Sequence, residues 1–216
     1  MQSIDAIQVR IEQLGIVPAI RCRASVDVVI EVGDALHATP LTTVIISLGS
    51  RHAWSIVHEF RRRYGQSMTV GVGPLSTADQ ARAAVAAGAQ FVLSGRPNAE
   101  IAEHCRRTQT LYVPCVSDAN QMCQVQDAEW RMVAFFPARK LGINVLTQLA
   151  RSNPAMRFIA LGGVDHENIS AFAGAGAAAA VVRGVLGTTT RWRMHAMILQ
   201  MRRLRARWEA TTGLEE

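Results

Sequence analysis

Apolar positions along the chain alternate between two kinds of segment. Short runs rich in β-branched or aromatic residues occupy residues 16–20, 42–47, 68–73, 89–94, 110–116, 131–136, 157–162 and 178–183, and these read as strands. Between them lie alanine-rich or amphipathic stretches that read as helices, at residues 26–37, 52–64, 77–87, 99–107, 119–128, 141–151 and 167–175, with a long last one over about residues 190–210. The first fifteen residues also carry apolar side chains at helical spacing and predict an N-terminal helix. Ser76 with Asp79, and Asp165 after a glycine pair, are the expected N-caps, while Gly65, Gly88 and Gly176 fit helix ends.

The strand runs begin about 21 to 26 residues apart and each is followed by a helix, an alternation that favours parallel strands joined by crossover helices. Eight such units predict an α/β protein, a closed (β/α)8 TIM barrel forming a single domain over residues 1–216, with an N-terminal helix and a basic C-terminal helix. An open doubly wound sheet is the alternative. At 216 residues the chain lies near the short end of the range for a (β/α)8 barrel.

A barrel places function where the loops gather, at the C-terminal ends of its strands. The best candidate there is Gly162-Gly163, followed by a helix start expected at Asp165. Adjacent glycines let the backbone approach an oxyanion closely, and amides at a helix N-terminus favour phosphate. Arg183 and Gly184, ending the eighth strand, add a cation and a small residue beside them. Gly71-Val-Gly73 is no dinucleotide fingerprint, because Pro74 follows directly. Cys115 ends a strand with no histidine next to it in sequence, which favours a small core residue over a nucleophile.

Composition narrows the chemistry. Lys+Arg number 23 against 17 acids, a net charge of +6, yet Lys140 is the sole lysine and the other bases are arginine. Any side-chain amine chemistry must therefore use Lys140. Four cysteines and six histidines show no metal-ligand spacing, so neither a metal site nor a disulfide framework is expected. No cofactor is signalled. The N-terminus lacks a signal pattern and no apolar run is long enough to span a bilayer, so a soluble, cytoplasmic protein is expected. Six arginines between Arg191 and Arg207 make the last helix basic, but a Met/Leu stripe packing onto the barrel with arginines in solvent accounts for the same pattern. Nucleic acid is accordingly not the expected partner.

The strand ends resemble those of the 2-keto-3-deoxy-6-phosphogluconate and 4-hydroxy-2-oxoglutarate aldolases (KDPG/KHG aldolases) over nearly the whole chain. The similarity rests on Leu14-Gly-Ile-Val-Pro-Ala-Ile-Arg21, Val70-Gly-Val-Gly73, Ala86-Ala-Gly-Ala-Gln-Phe-Val-Leu-Ser94, Val113-Pro114, Val133-Ala-Phe-Phe-Pro-Ala138 and Gly162-Gly163-Val with Glu167-Asn168. The resemblance implies a (β/α)8 fold, commonly a homotrimer, and a lyase that cleaves a keto-deoxy sugar acid through a lysine Schiff base. It also implies where the chain departs. The Schiff-base lysine falls at Ala134, the acid/base glutamate at Ile45 and the arginine after it at Gly49. The threonine after Gly-x-Gly falls at Pro74, and the serine of the second phosphate loop at Val185.

The apparatus for holding an anion survives in Arg21, Gly162, Gly163 and Gly184, with Arg183 beside them. The expectation is an aldolase-like protein that has lost Schiff-base catalysis and keeps a pocket for a small anionic metabolite, a keto acid or sugar phosphate. One alternative is a working lyase using Lys140 from the loop after strand six. Another is a non-catalytic assembly protein whose basic last helix meets an acidic partner.

Overall fold

The computed structural model describes residues 3–21, 25–50, 52–128, 130–183 and 191–213. Helix α1 (Ile4–Leu14) precedes β1 (Ile16–Ile20), and strands and helices then alternate. They run α2 (Val26–His37), β2 (Thr43–Ser47), α3 (Ala53–Tyr64), β3 (Thr69–Leu75), α4 (Ala78–Ala86), β4 (Phe91–Ser94) and α5 (Ala99–Arg107). The second half continues with β5 (Leu111–Val116), α6 (Ala119–Asp127), β6 (Met132–Phe135), α7 (Ala138–Leu141), α8 (Ile143–Ser152), β7 (Arg157–Leu161), α9 (Ile169–Gly174), β8 (Ala179–Arg183) and α10 (Arg191–Thr212). All eight strands are parallel, and β8 pairs with β1 to close the barrel. The open sheet is thereby excluded.

Each strand is buried on both faces, which is why the sequence shows short apolar runs rather than polar–apolar alternation. Successive side chains still point to opposite faces, and this splits the core in two. Ile46, Val72, Val92, Val133 and Phe158 face the helices, whereas Val17, Ile45, Phe91, Leu93, Val113, Cys115, Ala134, Ile159 and Val181 fill the barrel's inside. The glycines of β3 make that filling possible. A Cβ on Gly71 would stand 2.3 Å from the Phe91 ring, and one on Gly73 would stand 2.7 Å from Leu93 Cβ.

Helix α1 closes the N-terminal end of the barrel. Ser3 caps it by accepting from the Ala6 amide at 3.1 Å, and Ile4, Ile7 and Ile11 project into the interior cluster. Arg10 on its outer side donates to the Gln66 carbonyl (3.0 Å), Thr42 Oγ1 (2.8 Å) and the Ser67 carbonyl (2.5 Å), latching the helix to two bottom loops. A second tie runs from Arg157 to Glu12 at 3.2 Å.

Three local expectations are corrected. Helix α4 is capped by Thr77, one residue later than Ser76, because Thr77 and Gln80 form a reciprocal capping box that Asp79 cannot make. Asp165 does not cap a helix: its Oδ1 accepts from the Glu167 amide in a turn, and α9 starts only at Ile169. The helical stretch after β6 is two helices, broken where Gly142 takes φ +88°.

Candidate functional site

A cavity of about 450 Å³ opens at the C-terminal mouth of the barrel. Its depth is apolar: Ala19, Ile45, Leu93, Leu161 and Val181 form the wall below the rim. Two arginines stand above. Arg21 follows Val17 and Ala19 in inward parity, and Arg183 follows Ala179 and Val181, so both side chains sit over the lumen rather than under the helices. Arg183 is the register partner of Ala19, which places the two cations on neighbouring strand ends. A Cβ on Gly49 would come within 3.0 Å of Arg21 Nε, so the guanidinium lies against this glycine. Among the described residues neither arginine has an ion-pair partner.

The glycine pair forms the adjoining rim, after β7, the neighbour of β8. Gly162 and Gly163 have φ +93° and +81°, a region that side chains disfavour. Both are also covered, because a Cβ would reach 2.9 Å from the Phe136 ring at Gly162 and 2.6 Å from Arg139 Cβ at Gly163. Arg139 ties the loops after β6 and β7 together: its amide donates to the Gly162 carbonyl at 3.0 Å and its guanidinium pairs with Asp165 at 3.3 Å. Among the described residues Asp165 is the one carboxylate in the cavity wall, and with Arg139 on it the two rim arginines keep their charges without an ion-pair partner. The amides of Gly163 and Val164 have no acceptor among the described residues. With α9 only six residues long and starting at Ile169, backbone amides rather than a helix dipole are what this loop presents.

Arg21, Gly162, Gly163 and Arg183 line this one cavity. Gly184 and Val185 lie outside the described residues. Lys140 is exposed on α7 and is not part of the cavity wall. Ala134 is fully buried, in register between Cys115 and Ile159, and Ile45 is 4% exposed. Among the described residues no amine or carboxylate is fully buried, and burial pushes the Cys115 thiol up to about 12, leaving it protonated. The sequence reading missed the apolar wall; the parity that carries Arg183 back through Val181 to Ala179 was the signal that could have found it.

The model of the KDPG and KHG aldolase family matches residues 7–197. This chain belongs to that family. A 2-dehydro-3-deoxy-phosphogluconate aldolase from Treponema pallidum is 34% identical over 104 residues, which are 48% of this chain and 50% of that protein. The match thus spans about half the length of that curated relative. Among solved structures, the aldolase of Zymomonas mobilis with 3-phosphoglycerate superposes with TM-score 0.81 at 18% identity, covering 92% of this chain and 96% of that one. The KDPG aldolase of Legionella pneumophila, holding pyruvate as a covalent carbinolamine, gives TM-score 0.78 at 18% identity over 95% and 98%. Members of the KDPG and KHG family are aldolases, and the (β/α)8 barrel is the frame they share with this chain. No helix among the described residues is long and apolar enough to cross a membrane.

Proposed function

We propose that this family member binds a small anionic metabolite, a keto acid or sugar phosphate, at the barrel mouth and has lost Schiff-base catalysis. One observation carries the reading: the positions that the family resemblance assigns to the amine and the carboxylate are Ala134 and Ile45, both buried in hydrocarbon beneath the converging Arg21 and Arg183. An imine needs an unprotonated amine next to the carbonyl, and the steps around it need a group that moves protons. Among the described residues the lumen offers neither. Arginine cannot replace the amine, since it stays protonated. The rim keeps groups that suit an oxyanion: the two guanidinia and the backbone amides of the loop at the glycine pair. Homotrimeric assembly is carried over from the family resemblance and a cytoplasmic location from the sequence reading, and no cofactor enters this reading.

The test has two arms. Phosphate, pyruvate and sugar phosphates are expected to raise the Tm of the parent protein, and to raise it much less in Arg21→Met and Arg183→Met. Lyase activity on 2-keto-3-deoxy-6-phosphogluconate is expected at the buffer background, and borohydride with pyruvate is expected to leave the protein mass unchanged. An adduct that disappears in Lys140→Met would reverse the second half of the reading and make Lys140 the nucleophile.

A further inference from the structure

Building on the anion-site reading, we infer that the ligand is an anion with a hydrocarbon body: an oxyanion head held at the rim by Arg21 and Arg183, and a short apolar end lodged on Ile45, Leu93, Leu161 and Val181. The inference comes from the mismatch between the two levels of the cavity. A polyhydroxylated sugar acid needs a donor or acceptor for each hydroxyl it buries, because an unpaired hydroxyl in hydrocarbon loses its bonds to water without replacement. Among the described wall residues Ser47, at the end of β2, is the one side-chain hydroxyl, and its Oγ accepts from the Gly49 amide at 3.4 Å. The next layer down is sealed. Phe91 occupies the space left by Gly71, and the inward hydroxyls of Thr43 and Thr69 lie two residues below Ile45 and Gly71 on their strands, beneath the cavity wall.

Geometry sets the length of the apolar part. From Arg183 to Val181 the strand rises two residues, roughly 6–7 Å along β8. Leu161 and Val181 are register partners at that depth, and Phe91 closes the path below. An acyl or alkyl chain of a few carbons fills this distance, while its head meets the guanidinia and the amides of Gly163 and Val164, which have no acceptor among the described residues. Carboxylates and phosphate monoesters share this chemistry.

Calorimetry on the full chain separates the possibilities. The probes are acetate, butyrate, hexanoate and octanoate, butyl and hexyl phosphate, and, as polar controls, inorganic phosphate and 6-phosphogluconate. The expected result is one saturable site whose affinity rises about three- to fourfold per added methylene and then levels off at the length the cavity holds. Butyl phosphate against butyrate decides which head is preferred. Arg183→Met, a change at an exposed side chain, is expected to weaken every member of the series by a similar factor and leave its slope unchanged. Ile45→Thr is expected to flatten the slope while inorganic phosphate binds as before; Val181→Thr repeats this change at a second wall position should Ile45→Thr fail to fold. A flat series, tighter binding of 6-phosphogluconate than of hexanoate, or chain binding indifferent to Arg183→Met would overturn the inference while leaving an anion site in place. Failure of every anion, inorganic phosphate included, overturns the anion site itself.

Discussion

The indole of Trp208 lies directly against Gly15: a Cβ added there would fall 2.1 Å from the indole Nε1. Gly15 ends α1 with φ +64°, and Trp208 is fully buried in α10, so one contact joins the bottom plug to the helix that completes the outer ring. Gly15→Ala therefore combines an unfavourable φ with a clash against an immobile ring, and is expected to cost about 2–4 kcal/mol. Trp208→Ala is expected to cost about 3–5 kcal/mol. Denaturant melts of the double variant should show less loss than the sum, because removing the ring removes the clash. Strict additivity would mean that the two residues do not meet.

Arg10→Met keeps the apolar stem and deletes the latch on α1. Three acceptors lose their donor, Thr42 Oγ1 and two backbone carbonyls, and the expected loss is about 1–3 kcal/mol. Hydrogen exchange should locate it: amides of α1 exchange faster in the variant while those of the β-strands barely change.

Between α2 and α3, Arg63 grips Asp34 with both nitrogens at 2.7 and 2.8 Å, and the Tyr64 hydroxyl donates to the same carboxylate at 2.9 Å. The bond from Arg63, with that from Tyr64, outweighs partial burial and holds the Asp34 carboxyl below the usual range. Its contribution is thus complete above the unfolded carboxyl value of about 3.9 and is lost as pH falls through the lower folded value. Asp34→Asn should be less stable than the parent at pH 6, with the gap closing below about pH 4. Because the pair is exposed to water the gap is small, and a denaturation midpoint series against pH is the sensitive measurement.

Ala134→Lys, made in a Lys140→Met background, puts an amine into the hydrocarbon lumen. Burial lowers a lysine's pKa and so favours the neutral form that attacks carbonyls. The expected outcome is a pyruvate adduct trapped by borohydride, seen by mass spectrometry, at an overpacking cost of about 1–3 kcal/mol. No adduct in a folded variant would mean that the lumen at this level is closed to pyruvate.

Thiol accessibility offers an independent check of the interior. Burial pushes Cys105 and Cys115 up to about 12, while Cys123 is exposed. Peptide mapping after iodoacetamide treatment at pH 8 should find Cys123 alkylated and Cys105 and Cys115 protected until the protein is unfolded. Early labelling of Cys115 would contradict the packed lumen.

The barrel was legible in the chain because parallel strands under helices are apolar throughout, and all eight runs lie within two residues of the observed strands. Helix boundaries were less so. Ser76 and Thr77 are both plausible caps by composition, Gln80 Oε1 accepts from both amides, and what separates them is that Thr77 Oγ1 accepts from the Gln80 amide. Of the site, Arg21, Gly162, Gly163 and Arg183 could be found one strand end at a time. What could not be found that way is Phe91 filling the space of Gly71 twenty residues away, or Arg139 lying over Gly163, since these depend on contacts between strands and loops. Lys140 shows the same limit: the sequence puts it at the barrel's mouth, and the fold of α7 leaves it in solvent.

The packed lumen is also an electrical boundary. A largely hydrocarbon interior, in which Thr43 and Thr69 are buried hydroxyls low in the barrel, polarises little, so the charges of Arg21 and Arg183 are screened mainly from the solvent side. Their field lines are turned outward through the mouth, reaching anions over about 8 Å at physiological ionic strength. Filling the barrel with Phe91, Ile45 and Ala134 thus makes the mouth a stronger attractor of negative charge than the same two arginines would be above a wet, polar cavity.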